Sequence, residues 1–365
     1  MAEKLTTVTM KTLATKLGVS ITTVSNAYSK PDRLSTALRD QILATAKELG
    51  YCGPSAAGRA LRSGKTDVCG FLFHGGVSYA FSDPYSIMLL AGLSEEVEEY
   101  GASVLLLRAP AAEEATNQML QRAAIDALVV SSTEGQESGI EQLRQRGVRI
   151  VSTEPSTDGD WVTINDAKAG RLIGKHLARL GHRHVVVIAS GASKGGIETF
   201  DYSPDGMDER LFAGTYESER IRGLWEKMPE ARITVAFAGH CVRESGRRAA
   251  AQVLDVQDRP TAIVALSDVL ALGAWDAARE RGLTPGRDLS ITGFDDIPDA
   301  GFLGITTVHQ PITEKGRMIG RLAMDPDYPT RQITLPIELI VRSSTGPDIL
   351  RTGSQELTTE ERRTR

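Results

Sequence analysis

Thr9-Met10-Lys11-Thr12-Leu13-Ala14-Thr15-Lys16-Leu17-Gly18-Val19-Ser20-Ile21-Thr22-Thr23-Val24-Ser25-Asn26-Ala27-Tyr28 reads as two short amphipathic helices around a sharp turn. Small or apolar side chains recur at helical intervals before Gly18 and again after it, so each half offers one face to a core. Thr9 and Ser20 stand where a side-chain oxygen accepts from the free amides of a first helical turn. Gly18 can take the positive φ that reverses the chain between them. A third helix begins at Ser35, carries Leu38, Ile42, Leu43, Ala46 and Leu49 on one face, and stops at Gly50. Two capped helices at a tight turn, closed by a third, make a helix-turn-helix unit.

Charge supports the same reading. Residues 1–66 hold ten Lys or Arg against four Asp or Glu, whereas the rest of the chain holds 32 basic and 43 acidic residues. A cationic folded unit on an acidic body is the pattern of a polyanion-binding head attached to a second function. A basic linker or tail would lack the apolar faces, and a purely structural three-helix cap would not need the charge. Charge, spacing and caps together point to DNA reading.

Val8-Thr9-Met10-Lys11, Gly18-Val19-Ser20, Thr23-Val24-Ser25-Asn26, Leu34-Ser35, Leu49-Gly50-Tyr51 and Arg59-Ala60-Leu61-Arg62 succeed one another in order. This whole segment resembles the head and hinge of the lactose/galactose repressor (LacI/GalR) family. The resemblance implies a second helix in the major groove, with Ser20, Ile21, Thr22, Thr23, Ser25 and Asn26 facing DNA and Asn26 foremost for a base edge. Thr9, Met10, Ser29 and Ser35 join them as expected DNA contacts. Ile21 can only meet a thymine methyl or exclude water, so base choice is partly apolar. The implied hinge helix orders when two subunits meet on DNA and wedges Leu61 into the minor groove, flanked by Arg59 and Arg62. Unstacking the central step costs roughly a few kcal/mol. Two departures bear on this hinge. The spacing from Tyr51 to Arg59 is one residue longer than the family's, and Gly58 replaces the usual alanine at a helix cost of about 1 kcal/mol. Folding of the hinge therefore leans on DNA and the partner subunit.

The expected division is a helix-turn-helix domain at 1–52, a hinge at 53–66, a body at 67–345 and a disordered tail at 346–365. A chain of 365 residues, 41% hydrophobic, suffices for a head and two core-forming lobes. No stretch approaches the roughly twenty apolar residues that span a bilayer. Met1-Ala2-Glu3-Lys4 begins no secretion signal, so the expected location is the cytoplasm and no membrane partner is expected. Cys52, Cys69 and Cys241 are widely spaced, without the groupings that hold zinc.

Beyond residue 67, short Val/Ile/Leu runs alternate with helix-length amphipathic segments. Strands are expected at 68–73, 103–107, 127–131, 149–152, 162–164, 184–189, 233–238, 262–266, 289–293 and 337–342, and helices near 84–100, 112–123, 137–146, 167–180, 216–228, 243–255, 268–281 and 311–323. The fold class is α/β, with parallel sheets covered on both faces. The resemblance implies a periplasmic-binding-protein-like body of two doubly wound lobes, lobe 1 at about 67–164 and 296–325 and lobe 2 at about 165–295 and 326–345. Crossovers would fall near 164, 295 and 320–330, and a ligand between the lobes at the strand ends.

Candidate effector residues lie just beyond strand ends. Asp83-Pro84-Tyr85 resembles the family's Asn-Pro-Phe helix start, so Tyr85 either packs on a ligand ring or serves as an ordinary packing residue. Arg220, three residues before Gly223, matches the family's effector arginine, whose planar fork suits vicinal hydroxyls or a carboxylate. Asp268 and the pair Phe294-Asp295 correspond to family pocket residues, with helix N-capping as the rival role for Asp268. Ser193 sits in Gly191-Ala192-Ser193-Lys194-Gly195, which fits G-x-S-x-G and precedes Asp295 and His309 in hydrolase order. A nucleophile elbow needs a helix directly after the serine, and the chain runs instead into a polar stretch from Ile197 to Gly214. In the family this loop borders the effector cleft, where a lid, a selectivity element and a disordered segment are all compatible with it.

The sequence thus predicts a non-enzymatic, cofactor-free transcriptional repressor of carbohydrate or related catabolic genes. It would bind a pseudo-palindromic double-stranded operator as a homodimer and respond to a sugar, polyol or nucleoside. A transport-type solute-binding protein shares the body but contradicts the head. A G-x-S-x-G hydrolase is the other rival.

Overall fold

The computed structural model describes residues 8–53, 58, 60, 63–73, 76–110, 112–131, 137–156, 159–191, 197–203 and 215–348. It divides into two compact units, Met1–Val68 with Ala124–Asp126, and the remainder.

The first unit contains α1 (Met10–Leu17), α2 (Ile21–Ser29) and α3 (Thr36–Glu48). Thr9 forms a capping box on α1: its Oγ1 accepts from the Thr12 amide at 3.3 Å while its own amide donates to Thr12 Oγ1 at 3.3 Å. Gly18 ends α1 at φ +67°, the left-handed turn that L side chains resist. Ser20 then caps α2 by accepting from the Thr23 amide at 3.0 Å, and Ser35 caps α3. Leu13, Ala14, Val24, Ala27, Ile42 and Ala46 form the buried core.

The second unit is built on two sheets. Its strands are β1 (Val68–Phe73), β2 (Ser103–Arg108), β3 (Ala127–Val130), β4 (Arg149–Ser152), β5 (Asp160–Ile164), β6 (His184–Ala189), β7 (Glu198–Asp201), β8 (Arg232–Phe237), β9 (Ala262–Ala265), β10 (Ser290–Asp295), β11 (Thr306–His309), β12 (Gln332–Leu335) and β13 (Glu338–Ile340). One sheet has the order β12-β5-β4-β3-β1-β2 and the other β13-β11-β10-β9-β6-β8-β7. The second sheet is parallel except at its margins, where β7 and β13 run antiparallel. Helices cover these sheets, and those that matter for the site are α4 (Val77–Ala80), α5 (Pro84–Glu99), α8 (Asp166–Arg179), α9 (Tyr216–Lys227), α10 (Arg243–Leu254), α11 (Asp268–Glu280), α12 (Pro298–Leu303) and α13 (Ile312–Met324), with α6 (Glu113–Arg122) and α7 (Glu137–Gln145) beside the first sheet. Among the described residues, apolar clusters lie under α5 and α13 and on each face of the second sheet.

The lobe boundaries differ from the sequence expectation in two places. Thr306–His309 pairs with β10 and belongs to the second sheet, so the chain leaves that lobe at 309–312 rather than near 295. Gln332–Leu335 pairs with β5 in the first sheet, so the last crossover is 335–338 rather than 320–330. Both strands are rich in Thr, Gln or His, and the apolar-run criterion passes over them. Glu198–Asp201, read as part of a polar loop, pairs antiparallel with β8. The tail also begins later than 346: the Gly346 amide donates to Ser290 Oγ at 3.0 Å and the Asp348 amide to the Leu180 carbonyl at 2.9 Å. Residues 349–365 lie outside the described residues.

Candidate functional site

Two regions bring the expected residues together, and each is set by local structure. In the first unit, α2 buries Val24 and Ala27 and leaves Ile21 47% exposed. At about 100° per residue, Ile21, Thr22, Ser25, Asn26 and Ser29 fall within one arc, opposite the buried pair. That arc is an outward face held rigid from behind by the buried pair. Ser20 and Thr23 are committed to the cap, their hydroxyls 2.8 Å apart. Thr9 is likewise committed to its capping box. Met10, partly buried, packs against the head's core. The first-turn amides of α1 have no acceptor within the helix, which suits them to a phosphate. Of the hinge, Arg59, Leu61 and Arg62 lie outside the described residues. Gly58 and Ala60 are helical, and the Gly64 amide donates to the Ala60 carbonyl at 2.8 Å. Asp126, which the sequence reading missed, ties the hinge exit: its carboxylate accepts from the Thr66 amide and hydroxyl and from the Asp67 amide at 2.7–3.0 Å.

In the second unit, residues of both lobes converge where the crossovers run. Arg220 on α9 is 8% exposed. Its Nε donates to Asp166 Oδ1 at 2.8 Å and its Nη1 to the Leu266 carbonyl at 2.8 Å, while its guanidinium lies 3.4 Å over the Phe294 ring. Burial opposes its charge, but Asp166 and Asp295 outweigh that and hold it cationic. The sequence spacing of Arg220 and Gly223 has a packing origin: a Cβ on Gly223 would come within 2.1 Å of the Ala167 carbonyl, so the glycine lets α9 lie directly on α8. That close approach delivers Arg220 to Asp166.

Asp295 ends β10 at φ +110° and Asp296 comes next at φ +61°, two successive left-handed residues that are not glycine. Such strain persists only where the surroundings impose it, and it clusters at functional sites. Asp296 is fixed by Arg342 at 2.7 Å and by His309 Nδ1 at 3.0 Å. Asp295 is 7% exposed, with Oδ1 accepting from Gln310 Nε2 at 2.6 Å. Burial pushes its carboxyl up to about 7, against the pull of Arg220 and the Gln310 hydrogen bond.

Three expected ligand contacts are already occupied by the protein. Asp268 is fully buried; its Oδ1 accepts from the Thr307 hydroxyl at 2.8 Å and its Oδ2 from the Ile297 amide at 2.9 Å, while Ser267 does the N-capping of α11. Burial, then the nearby Asp295, pushes the Asp268 carboxyl well above its ordinary range. Asp268 therefore braces the strand ends rather than facing the cleft. Phe294 is likewise fully buried and reaches the cleft only through the guanidinium lying on it. Asp83 caps α5, its Oδ2 accepting from the Ser86 amide at 3.0 Å and hydroxyl at 2.6 Å.

Tyr85 stands in the first turn of α5, where its hydroxyl accepts from Lys315 Nζ at 3.2 Å. Asp166, Gln310 and Lys315 are site residues that sequence reasoning missed, since none lies in a motif. A cavity of about 360 Å³ is lined by residues of both lobes, among them Trp161, Asn165, Asp166, Tyr216, Glu219 and Thr334, but not by Tyr85, Arg220 or Asp295. Asp166, part of that lining, also holds Arg220, so the cavity opens onto the Arg220 ion pair. The lobes also touch through the Tyr79 hydroxyl, which donates to the Cys241 carbonyl at 3.2 Å. Ser193 lies outside the described residues. The next described element after it is a strand, β7, rather than the helix a nucleophile elbow requires, and the His309 ring faces Asp296 rather than Asp295. Cys52 is exposed, Cys69 buried and Cys241 partly buried, all three free.

Residues 9–53 match the profile of bacterial regulatory proteins of the lacI family, and residues 175–345 that of the periplasmic binding protein-like domain. An HTH-type transcriptional regulator of Mycolicibacterium smegmatis is 36% identical over 332 residues, covering 87% of this chain and 90% of that protein. A solved LacI-family transcriptional regulator from Corynebacterium glutamicum is 27% identical at a TM-score of 0.64, covering 94% of this chain and 100% of that one. The lac repressor dimer bound to operator and the anti-inducer ONPF shares the fold at a TM-score of 0.68 and 20% identity, over 93% of this chain and 99% of that one.

Proposed function

The chain belongs to the lacI family of bacterial regulatory proteins, and from that membership we propose that this DNA-binding transcriptional regulator is a dimeric repressor of carbohydrate or related catabolic genes, released from or held on a pseudo-palindromic operator by a small polyhydroxylated effector. The observation that carries the DNA-reading part is the outward face of α2. Ile21, Thr22, Ser25 and Asn26 occupy an arc that nothing in the head's core uses, on a helix whose start is fixed by Ser20. Asn26 can pair with adenine in the major groove, and Ile21 can meet a thymine methyl. Arg59, Leu61 and Arg62 are the residues we assign to the minor groove at the operator centre.

The effector reading is supported by Arg220 and Asp295. Both are buried and oriented by protein partners, as a preorganised polar site requires, and Asp166, which holds Arg220, lines the cavity between the lobes. Tyr216 supplies aromatic surface beside Arg220, whose guanidinium lies 4.9 Å from its ring. Dimerisation is supported by apolar exposure: Phe302 on α12 is 86% exposed and Val341 57% exposed, surface suited to a symmetry-related copy.

The test is a selection of random duplexes on the full-length chain, then binding at graded salt. Enrichment of a two-fold symmetric site with a steep salt dependence is expected. Uniform binding to all sequences would refute the reading. A melting-temperature screen against sugars, polyols and nucleosides tests the effector part, since a ligand of the native state raises its stability by mass action.

A further inference from the structure

Among the described residues, Lys315 is a buried charge held by no carboxylate. It lies in the first turn of α13, directly after the 309–312 crossover, and is 5% exposed. Among the described residues its ammonium has one hydrogen-bond partner, the Tyr85 hydroxyl at 3.2 Å, and no carboxylate within 4 Å. A buried ammonium carries three donors and ordinarily has an anion. The first turn of a helix is also the end where the backbone dipole disfavours a cation. The packing does not leave Lys315 free to turn away: a Cβ on the adjacent Gly316 would come within 2.1 Å of the Leu89 carbonyl, so α13 is seated hard on α5. Five residues earlier, in the crossover, Gln310 is 3% exposed and gives its Nε2 to Asp295, leaving Oε1 buried without a partner. Gln310 holds Asp295 from the crossover, and Arg220 lies over the ring of Phe294, the residue before Asp295, so groups of both lobes gather at this crossover.

Resting on the cleft reading above, we propose that the effector is an anionic polyol, a sugar acid or sugar phosphate, whose carboxylate or phosphate is bound by Lys315 and whose hydroxyls are bound by Gln310 Oε1, Asp295 and Arg220. Two unsatisfied groups of opposite kind define that ligand: Lys315 offers donors to an anion, and Gln310 offers an acceptor to a hydroxyl. The α13 amide dipole, unfavourable to the lysine alone, favours the pair once an anion joins it. A neutral sugar would leave the ammonium without its counter-charge.

The test is thermal shift on the full-length chain with aldonic acids, uronic acids and sugar phosphates, each beside its neutral parent sugar, and with inorganic phosphate alone. At least one anionic polyol should bind about tenfold or more tightly than its parent, the scale of a charge-assisted contact. Inorganic phosphate should compete with it. Lys315→Met should erase that preference while melting no lower than wild type without ligand, because it removes an unpaired buried charge. Lys315→Arg should keep part of the preference, and this arm, with the comparison in wild type, decides the matter even if Lys315→Met fails to fold. A response to neutral sugars equal to that for their acids, or a preference that survives Lys315→Met, overturns the inference and leaves the cleft reading intact. Silence from every anionic and neutral probe overturns both.

Discussion

Arg220→Ala should destabilise the body through what it leaves behind. The Asp166 side chain is 12% exposed and would lose the guanidinium 2.8 Å away, the Leu266 carbonyl would lose its donor, and the Phe294 ring would lose its cover. Breaking a buried ion pair from one side costs about 3–5 kcal/mol, because the remaining charge stays buried. For a domain of this size each kcal/mol lowers the melting temperature by about 2–4 °C, so a fall of roughly 6–20 °C is expected by calorimetry. Asp166→Asn removes the stranded charge, so the double variant should be more stable than the two single losses predict, by about 1 kcal/mol or more. Below its melting point, Arg220→Ala should still bind operator and no longer respond to effector. A melting temperature within about 2 °C of wild type, or strict additivity in the double variant, would refute the assignment of Arg220 as a buried, charge-paired residue.

In the head, Asn26→Ala should relax discrimination at one base position by about 1–3 kcal/mol, measured by competition between single-base operator variants. Leu61→Ala should weaken operator binding far more than nonspecific binding, and equal losses on all sequences would contradict both roles. The Asp295 carboxyl, pushed from 3.8 to about 7 in the fold, keeps a proton that the unfolded chain has released. Its destabilising effect is therefore absent below about pH 4, grows as pH rises, and is complete above about 7, at roughly 4 kcal/mol. Wild type should lose stability relative to Asp295→Asn across that window in denaturant melts, and a constant difference would show that Asp295 is not buried as described. Phe302→Glu should shift the sedimenting species from dimer to monomer and lower operator affinity, whereas an unchanged mass at micromolar concentration would remove α12 from the interface.

The head was legible in the sequence because its signals are local. Thr9, Gly18, Ser20 and Ser35 act within three residues of themselves, and the core positions recur at helical intervals along one short stretch. Most body helices and the Val/Ile/Leu strands were legible for the same reason. Thr306–His309 was not, because its polarity is satisfied at a distance: Thr307 donates to Asp268 and the Thr306 hydroxyl to the Arg342 carbonyl. A buried strand can carry threonines when other elements supply partners, and no window of sequence reveals those partners. The site divides similarly. Arg220 and Asp295 stood in recognisable surroundings, whereas Asp166, Gln310 and Lys315 acquire meaning only from residues 54, 15 and 230 positions away. Asp268 was misassigned for the converse reason, since its strand-end position looks open until the Thr307 hydroxyl and Ile297 amide are seen to fill it.

Three side-chain pairings of the proposed effector site involve residues at or within about one turn of a crossover. Asp166 comes just after the first crossover and holds Arg220; Gln310 lies in the second and holds Asp295; Lys315 stands one turn beyond it and holds Tyr85. Asp166–Arg220 lies within the packed pair α8 and α9 and Lys315–Tyr85 within the packed pair α5 and α13, so a change in the angle between lobes acts most directly on Gln310–Asp295, which joins the crossover to β10. An effector that replaces some of the pairings binds one lobe arrangement better than another, and only that difference in affinity can shift the balance. A coupling of about 1–3 kcal/mol, typical of ligand control, is the scale of one or two such hydrogen bonds to charged groups. Removing Gln310 or Lys315 should reduce the coupling between effector and operator more than it reduces operator affinity itself.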